Sequence, residues 1–481
     1  MRKLLIAIAV FAALPVFAQN DLSTRYANTI TPQALKEKLS VIASAQMEGR
    51  ETASPGQKRA AAFIEANFRR FGLLPATSTG YQMPYAVYQD TLMDVLLKIN
   101  GKAYPLTEAF SLNIATVPNG NYSINELVYI GKDDSTSMDI KDKWVLADFS
   151  DVTGFRALAA KVQRLRAKGI KGYFSISKNF PAERRSLKGS MYLKKAANSV
   201  PAITISYEVA SAILNQPVTS SSDLSKINQG AFATNINLQV NKRAMLLQSS
   251  NVAGLMPGTD KKDEYVLLTA HYDHLGKRGE VIYYGADDDG SGTTSVLQMA
   301  EAFSKAKAEG HGPRRSILFM TVSGEEEGLL GSEFYSDHPL FPLEKTSIDL
   351  NTDMVGRIDS ARKSADTNNY VYVIGDDRLS SDLKKITDSV NTLYGNLNLD
   401  RRFNANDPNR FYFRSDHYNF ARKGVPIIFY FDGTHADYHK PTDTVDKINF
   451  DLMAKRVKLI FQTAWIAANR DEMLKRDIPL K

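Results

Sequence analysis

The sequence predicts an α/β protein with a mostly parallel sheet flanked by helices, into which a smaller mixed β/α domain is inserted. Three observations support this fold class. After Asn251, apolar strand-like runs alternate with helix-like runs, which is typical of a sheet covered on both faces. From about Tyr88 to Ser206 the chain instead contains short β-like runs with few helices. The length of 481 residues also exceeds that of one ordinary domain.

The first clear helix of the larger domain begins after Ser54. Ser54 can cap the helix, Pro55 suits its first position, and Gly72 is a fitting end. In the inserted domain we predict strands at Val95–Ile99, Leu127–Ile130, Trp144–Phe149, Gly172–Ser175, Ala202–Ile205 and Asn228–Val240, with helices at Arg156–Ala167 and Val209–Leu214.

The second part of the larger domain repeats strand, loop and helix. Its predicted strands are Tyr265–Ala270, Ser316–Val322, Ser347–Asn351, Tyr370–Ile374 and Ile427–Phe431, and its predicted helices are Thr293–Ala308, Gly328–Ser336, Leu379–Tyr394 and Phe450–Ala468. The larger domain is therefore expected at residues 19–87 and 246–481, and the inserted domain at residues 88–245.

The amino terminus has the features of a signal peptide. The short basic start Met1-Arg2-Lys3 precedes an apolar run, Leu4–Leu14. The following Val16-Phe17-Ala18 ends in the small-x-small manner of a cleavage site. The run is too short for a membrane anchor, and no second apolar stretch reaches membrane-spanning length. We expect cleavage after residue 18 and export to the periplasm or the medium, with no integral membrane segment in the mature chain.

The composition excludes several function classes. The chain has 60 Lys and Arg against 53 Asp and Glu, and its basic residues are spread out, so nucleic acid is not an expected partner. With no cysteine it can contain no disulfide, thiolate metal site or thiol nucleophile. All seven histidines lie between His271 and His439, which places any imidazole chemistry in the second half of the chain.

Polar side chains follow four of the predicted strands at the point where each strand ends. Carboxyl ends of parallel strands share one edge of a sheet, where ligands bind. The residues at these ends are His271 and Asp273, the run Glu325–Glu327, Asp353, and His435 with His439; a fifth loop, Asp287–Asp289, opens a helix. Such a group of like charges needs a positive partner, and imidazoles with carboxylates suit one or two zinc ions or another divalent metal.

Each motif alone has an ordinary structural explanation. His271-x-Asp273 is compatible with an exposed pair, and Asp287–Asp289 with a capped turn. The run Glu325–Glu327 also favours a helix amino terminus through the helix dipole. At successive strand ends, however, these explanations require five coincidences, so the sequence favours a metal site.

Six motifs in order resemble those of the co-catalytic zinc aminopeptidases, the family of aminopeptidase Y, secreted bacterial leucine aminopeptidases and glutamate carboxypeptidase II. They are Ala270-His-Tyr-Asp-His-Leu-Gly276, Gly285-Ala-Asp-Asp-Asp-Gly-Ser-Gly292, Gly324-Glu-Glu-Glu-Gly-Leu-Leu-Gly-Ser332, Asn351-Thr-Asp-Met-Val-Gly356, Ser415-Asp-His417 and Asp437-Tyr-His-Lys-Pro-Thr-Asp-Thr444. The resemblance covers roughly residues 251–468, together with Met47-Glu-Gly-Arg50, and implies the zinc exopeptidase fold. The insert is similar, more weakly, to a protease-associated domain.

The resemblance also implies a role for each matching position. Asp288 would bridge two zinc ions, with His271 and Asp353 completing one site and Glu326 and His439 completing the other. Glu325 would act as the general base on the metal-bridging water. The implied substrates are peptides, and the implied activity is that of a metallo-exopeptidase, with an aminopeptidase favoured.

Residues next to the implied ligands have further expected roles, and the sequence leaves some alternatives open. Asp273 would orient His271, and Tyr438 is either an oxyanion donor or a packing tyrosine. The remaining residues with chemistry-bearing side chains are expected to support the site (Asp416, His417, His274, His435) or to lie on the surface (His311, His338). A carboxypeptidase or dipeptidase on the same ligands and a non-catalytic binding protein on the same fold remain as alternatives; a one-metal glutaminyl-cyclase-like enzyme fits less well. The metal identity, residue preference and oligomeric state are left open.

Overall fold

The computed structural model describes residues 22–181, 187–194, 200–363 and 368–480. It divides into two compact units, which we call the larger unit (residues up to Ala86 together with those from Gln248) and the inserted unit (Val87–Leu247). The predicted signal peptide, residues 1–18, lies outside the described residues. Among the described helices, none combines the length and the apolar character that crossing a membrane requires.

Eighteen strands are formed by the described residues. In chain order, β1 to β18 are Leu74–Pro75, Gln82–Ile99, Lys102–Tyr104, Phe110–Leu112, Gly120–Tyr129, Trp144–Asp148, Gly172–Ile176, Lys188–Tyr192, Ala202–Ile205, Gly230–Met256, Lys261–His271, Lys277–Arg278, Val281–Ile282, Arg315–Val322, Thr346–Thr352, Tyr370–Ile374, Asn398–Asp400 and Ile427–Phe431.

The main helices are numbered α1 to α10 in the same way. They are Pro32–Ile42, Pro55–Arg70, Phe155–Ala167, Tyr207–Leu214, Ser221–Leu224, Gly292–Ala308, Leu330–Asp337, Leu383–Val390, His417–Ala421 and Phe450–Asn469. As predicted, Ser54 caps α2, its hydroxyl accepting from the Gln57 N–H, with Pro55 in the first turn. Short 3₁₀ turns occur at Ala45–Arg50, Leu343–Lys345, Phe411–Phe413 and Val445–Lys447, and wider turns at Ala286–Ser291 and Asn391–Gly395.

The sheet of the larger unit has a parallel centre. Its strands lie in the order β17-β16-β18-β15-β11-β14-β10. Strands β14, β11, β15 and β18 are parallel to one another. On either side of them, β10 is antiparallel to β14 and β16 is antiparallel to β18. Both faces of this sheet pack against apolar side chains, in two clusters that include Phe303 and Trp465 on one side and Phe420 and Phe429 on the other. Burial on both faces explains the apolar runs at the centres of β14 and β18.

The strands of the inserted unit continue the same strand order after β10, and the unit has apolar clusters of its own. Strands β5, β6, β7 and β9 are parallel, and β4 closes the row antiparallel to β9. Trp144 packs edge-on against Tyr122 within the larger of its clusters, and Val145 belongs to a second cluster against α3. With apolar clusters of its own, this unit meets the physical requirement for a separate domain.

The predicted fold class is confirmed, but several elements differ from the prediction. The strand expected at Val95–Ile99 already begins at Gln82. Strand β10 was expected to end at Val240, but it continues to Met256 because its first part pairs with β5 and its last part with β14. The helix expected at Leu379–Tyr394 begins only at Leu383, since Leu379 has a φ of 65° and cannot lie inside a right-handed helix.

Candidate metal centre

The carboxyl ends of the central strands bring the predicted residues to one edge of the sheet. His271 is the last residue of β11 and lies in register with Val322 at the end of β14. Asp353 follows β15 directly, and Thr352 lies in register with Tyr430 of β18. The loops after these strand ends therefore start level with one another, as predicted for a parallel sheet.

The first group of ligand atoms consists of His271, Asp288 and Asp353. His271 Nε2 lies 3.3 Å from Asp288 Oδ1 and 3.6 Å from Asp353 Oδ1. All three residues are buried, and their ligand atoms lie within 4.8 Å of one another. Ser415 donates to the second oxygen of Asp353 at 2.6 Å, which fixes that carboxylate.

The second group lies around the other oxygen of Asp288. His439 Nε2 is 3.1 Å from Asp288 Oδ2 and 3.2 Å from Glu326 Oε2. Atoms that coordinate one zinc at 2.0–2.2 Å stand roughly 3.3 Å apart in tetrahedral geometry. The separations in both groups are close to this value, so each group is compatible with a bound metal ion.

The electrostatics of these residues also fit bound cations. Among the described residues, none of Asp288, Glu325, Glu326 and Asp353 forms an ion pair with lysine or arginine; the side chains at ion-pair distance from them are histidines. Asp288 Oδ2, Glu326 Oε1 and His271 Nε2 are buried atoms without a hydrogen-bond partner. Buried charges without partners are costly, so this set requires positive charge to be stable.

The loop of Asp288 is held by two neighbouring carboxylates. Asp443 accepts hydrogen bonds from the backbone N–H of Asp287 and of Asp288, at 3.0 and 3.2 Å. Asp289 accepts from the backbone N–H of His271, Gly292 and Met354, and so ties β11, α6 and the loop after β15 together. Of the three consecutive aspartates, one faces the ligands and another fixes the backbone around them.

Glu325 lies beside the first group without belonging to it. Its Oε2 is 3.9 Å from His271 Nε2, and its side chain is 13% exposed. Burial raises the pKa of Glu325 well above its usual range, an effect that the His271 imidazole opposes and Glu326 reinforces. A carboxylate with a raised pKa is suited to accept a proton near neutral pH.

Asp273 contacts His271 less directly than expected. The nearest acceptor to His271 Nδ1 is the backbone oxygen of Asp273 at 3.2 Å, and the carboxylate is 3.6 Å away. That carboxylate instead accepts from the Thr52 hydroxyl at 2.7 Å and from the Glu325 N–H at 3.3 Å. It thus connects the loop of the first ligand with the loop of Glu325.

A cavity opens onto these residues, and Tyr438 lines it. Its other lining side chains include Asp288, Glu325, Asp353, Arg414 and the apolar Met354, Phe411, Phe429 and Phe431. Arg414 donates to the Tyr438 hydroxyl oxygen at 3.3 Å. Because this oxygen accepts from Arg414, its own proton is available to another acceptor. Burial raises the Tyr438 pKa, so the hydroxyl stays protonated.

The remaining predicted residues have distinct surroundings. Asp416 is buried beside the site, and burial raises its pKa to about 7. His417 is stacked on Phe429 and its Nε2 lies 2.8 Å from the Tyr412 carbonyl; burial lowers its pKa to about 3, as for a packed neutral imidazole. His435 Nε2 lies 3.4 Å from Asp287 Oδ2.

Three histidines remain, and their surroundings differ. His338 is exposed, and His311 is only partly buried. His274, expected only as support, is buried within the second group of ligands, with Nδ1 2.8 Å from Glu326 Oε1.

Sequence reasoning did not assign a role to Arg50, although its motif Met47-Glu-Gly-Arg50 was noted. The guanidinium is fully buried and donates to the backbone carbonyls of Tyr272, Ile42, Tyr284 and Gly285. It therefore fixes the loops on both sides of His274 from within the fold. Its partners are distant in sequence, so only the structure reveals its role.

Comparison with known proteins is consistent with this centre. Residues 251–464 match the model of Peptidase family M28, which confirms the family resemblance predicted from the six motifs. Aminopeptidase YwaD of Bacillus subtilis is 26% identical over 235 residues, which cover 47% of this chain and 46% of that protein. A probable leucine aminopeptidase of Trichophyton verrucosum is 28% identical over 222 residues, 45% of this chain and 57% of that protein.

A third relative is matched over a shorter stretch. A vacuolar membrane protease of Aspergillus clavatus is 39% identical over 102 residues, 21% of this chain and 10% of that protein. The chain thus spans a tenth of this relative and about half of the two aminopeptidases.

Solved structures share the fold over nearly the whole chain. An aminopeptidase from Aneurinibacillus sp. strain AM-1 superposes with a TM-score of 0.62 at 19% identity, covering 95% of this chain and 98% of that one. A zinc aminopeptidase from Bacillus subtilis has a TM-score of 0.55 at 20% identity, covering 94% and 99%. At these identities the likeness shows that the fold is shared.

Proposed function

We propose that this chain, whose residues 251–464 belong to Peptidase family M28, is an exported di-zinc exopeptidase that removes amino-terminal residues from peptides. The observation that supports it most is the arrangement of Asp288, with each oxygen facing a different imidazole, His271 at 3.3 Å and His439 at 3.1 Å. That arrangement suits a carboxylate that bridges two ions.

The residues present fit two zinc ions, with His271, Asp288 and Asp353 as ligands of one and Asp288, Glu326 and His439 as ligands of the other. When bound, such ions polarise a peptide carbonyl and lower the pKa of water. The other steps of hydrolysis fall to side chains of this chain.

Glu325 is the proposed general base. It lies beside the ligands, is not needed as one, and has a raised pKa. It can therefore take a proton from the attacking water and return that proton to the leaving amine. The Glu325 N–H bond to Asp273 holds its loop in the position that this transfer requires.

Tyr438 is the proposed donor to the oxygen that becomes negative in the transition state. Its hydroxyl lines the same cavity as Glu325, and the bond from Arg414 leaves its proton free for that oxygen. The apolar floor formed by Met354, Phe429 and Phe431 is available to a substrate side chain.

An aminopeptidase is favoured over other exopeptidases by the relatives named above, and by carboxylates that can receive the ammonium group of a substrate. A second candidate has one specific observation in its favour. Arg414 is exposed at the cavity, and among the described residues it is not ion-paired with a carboxylate, so it is available to bind a substrate carboxylate. That would suit a dipeptidase or a carboxypeptidase.

Three matched substrates distinguish these possibilities. The zinc-loaded protein is offered a dipeptide, the same dipeptide blocked at its amine, and the same dipeptide amidated at its carboxyl end. An aminopeptidase cleaves the first and third only, a carboxypeptidase the first and second only, and a dipeptidase only the first. Absence of cleavage in all three, with zinc bound, would favour a non-catalytic binding protein.

The organisation of the chain belongs to the same proposal. Residues 19–87 and 246–481 would form the zinc peptidase domain, residues 88–245 a protease-associated-like insert, and residues 1–18 a cleaved signal peptide. Support for the division comes from the separate apolar clusters of the two units. Sequencing the amino terminus of the exported protein tests the cleavage after residue 18.

A further inference from the structure

We propose that His274 is an additional imidazole ligand of the metal centre, binding the ion held by Asp288, Glu326 and His439. The inference rests on the proposed metal centre but goes beyond its five predicted ligands. It would give this ion four protein ligands and the ion at His271 three, so the two sites would differ in affinity.

The position of the ring is the first argument. His274 Nδ1 lies 2.8 Å from Glu326 Oε1 and 3.9 Å from Asp288 Oδ2. Ligand atoms of these three residues lie within 4.8 Å of one another, as those of His271, Asp288 and Asp353 do in the first group. His274 therefore stands to Glu326 and Asp288 much as His271 stands to Asp353 and Asp288.

The second argument is that the facing atoms lack partners. The His274 side chain is 0% exposed, and Nδ1, Glu326 Oε1 and Asp288 Oδ2 are all buried atoms without a hydrogen-bond partner in the described structure. Nδ1 and Oε1 lie at ion-pair distance, so a protonated ring would neutralise Glu326. A neutral ring leaves this buried carboxylate without a charged donor from His274, and a cation bound between the two residues would supply the charge instead.

The third argument is that the fold makes room for this ring and keeps it in place. A Cβ at Gly285 would lie 2.5 Å from His274 Cγ and Cδ2, so only glycine allows the ring its position. The backbone N–H of His274 donates a hydrogen bond to the Arg50 carbonyl at 3.3 Å. On another side the His439 ring meets it edge-on, with centroids 6.0 Å apart.

Counting the imidazoles bound to zinc tests the proposal directly. X-ray absorption at the zinc edge reports ring scattering only from histidines that coordinate the metal. The protein loaded with two zinc ions should show three imidazoles shared between them, namely His271, His274 and His439. His274→Ala should show two. His338→Ala, an exposed histidine outside the site, should still show three.

Zinc affinity provides a second readout that is independent of activity. Calorimetric titration of the metal-stripped protein should resolve two unequal sites, and His274→Ala should weaken the tighter one by roughly 10–100-fold. His274→Gln keeps a polar side chain near Glu326 but loses the imidazole, and we expect the same weakening. Thermal unfolding of the metal-free variants identifies any that fail to fold, and His274→Gln then replaces His274→Ala in the count.

The outcomes separate this proposal from the proposed function. Two imidazoles in the wild-type protein, unchanged by His274→Ala, would overturn the ligand role of His274 while leaving the di-zinc exopeptidase intact. Weakened affinity with an unchanged count would also overturn it and would make His274 a residue that only positions Glu326. A protein that binds no zinc would refute both proposals.

Discussion

Two buried carboxylates of the inserted unit are paired with lysine or arginine side chains, whereas, among the described residues, those of the candidate metal centre in the larger unit are not. In the inserted unit, Lys242 and Asp90 form an ion pair at 2.7 Å, with side chains 2% and 3% exposed. Asp134 is likewise paired, with Lys161 at 2.8 Å and with Arg164. In the larger unit, the carboxylates of the candidate metal centre face histidines and one another.

The difference separates buried charges that are neutralised by side chains of the fold from those that a ligand would neutralise. A buried pair is complete without any other molecule, so it serves structure. Arginines are also buried in the larger unit, but they are satisfied elsewhere: Arg456 binds the carbonyls of Tyr370 and Val355 and the Asp432 carboxylate. The carboxylates of the candidate metal centre have no such partner among the lysines and arginines of the described residues, which is the contrast that the proposed metal ions would explain.

The largest effect is expected from Glu325→Gln. Removing the base should lower kcat by roughly 10²–10⁴-fold, because the side chain keeps its size but no longer accepts a proton. Zinc content should stay the same, since Glu325 is not needed as a ligand. Steady-state kinetics and metal analysis of the same preparation measure both.

Glu327→Gln is the matched control for that variant. It makes the same chemical change two positions further on, in a residue assigned no role at the site, and should leave kcat within a few fold of the wild type. Retained peptidase activity in Glu325→Gln would contradict the assignment of the base.

Breaking the buried pair of the inserted unit should affect stability and not zinc binding. Lys242→Met removes the Lys242 cation from the buried Asp90 carboxylate, which should lower the free energy of unfolding of this unit by up to about 3–5 kcal/mol. Lys102→Met removes an exposed partner of Glu208 and should leave the stability almost unchanged, because solvent screens that pair. Denaturant titration measures the stability of both variants. Loss of zinc from Lys242→Met would contradict the expectation that this ion pair affects stability and not zinc binding.

Tyr438→Phe should lower kcat by roughly 10²-fold with a smaller change in KM, because the hydroxyl would act mainly in the transition state. Tyr394→Phe is the control, since the Tyr394 hydroxyl is buried without a hydrogen-bond partner in the described structure and lies outside the site. Equal rates for Tyr438→Phe and the wild type would make Tyr438 a packing residue.

The smallest expected effect concerns how stability depends on pH, which should have opposite signs for one buried aspartate in each unit. Burial raises the pKa of Asp349 in the larger unit from 3.8 to about 8. Its contribution to stability is therefore full below pH 3.8 and is lost as the pH rises through about 8. The side chain introduced by Asp349→Asn cannot ionise. The melting temperature of this variant relative to that of the wild type should therefore be a few degrees higher at pH 8.5 than at pH 5.

Asp134 in the inserted unit should behave in the opposite sense. Burial acts to raise its pKa, but the hydrogen bonds from Lys161 and Arg164 prevail and lower it below 3.8. Its stabilisation is present above pH 3.8 and is lost as the pH falls through the lowered pKa, so the destabilisation of Asp134→Asn at pH 7 should shrink progressively as the pH is lowered below 3.8. Melting curves of both variants across pH test the pair; equal slopes would contradict the contrast between the units.

Much of the fold could be predicted because the strands carry local signals. The run Ser316–Val322 is buried along its whole length and has a continuous apolar centre, and the chemistry-bearing residues follow it closely. Strand β10 was predicted too short because its end depends on pairing with β14, which is distant in sequence. The late start of α8 depends on one left-handed residue, Leu379, that no local pattern marks.

The candidate site was predicted in its residue types, but its contacts were not. That Asp288 has an imidazole on each oxygen follows from bringing together residues that are 17 and 151 positions away along the chain. The burial of His274 against Glu326 depends on Arg50 and Gly285, which carry no metal-binding signal of their own. Such contacts follow from packing across the sheet edge and are absent from any single motif.

The most direct test of the account is the zinc stoichiometry of the purified protein. After metal removal, calorimetric titration with zinc should show two equivalents bound per chain, with hydrolysis of an unblocked dipeptide reaching its maximum as the second binds. Fewer than two equivalents, or full activity with none, would contradict the claim that the unpaired buried carboxylates of the larger unit form a two-metal peptidase centre.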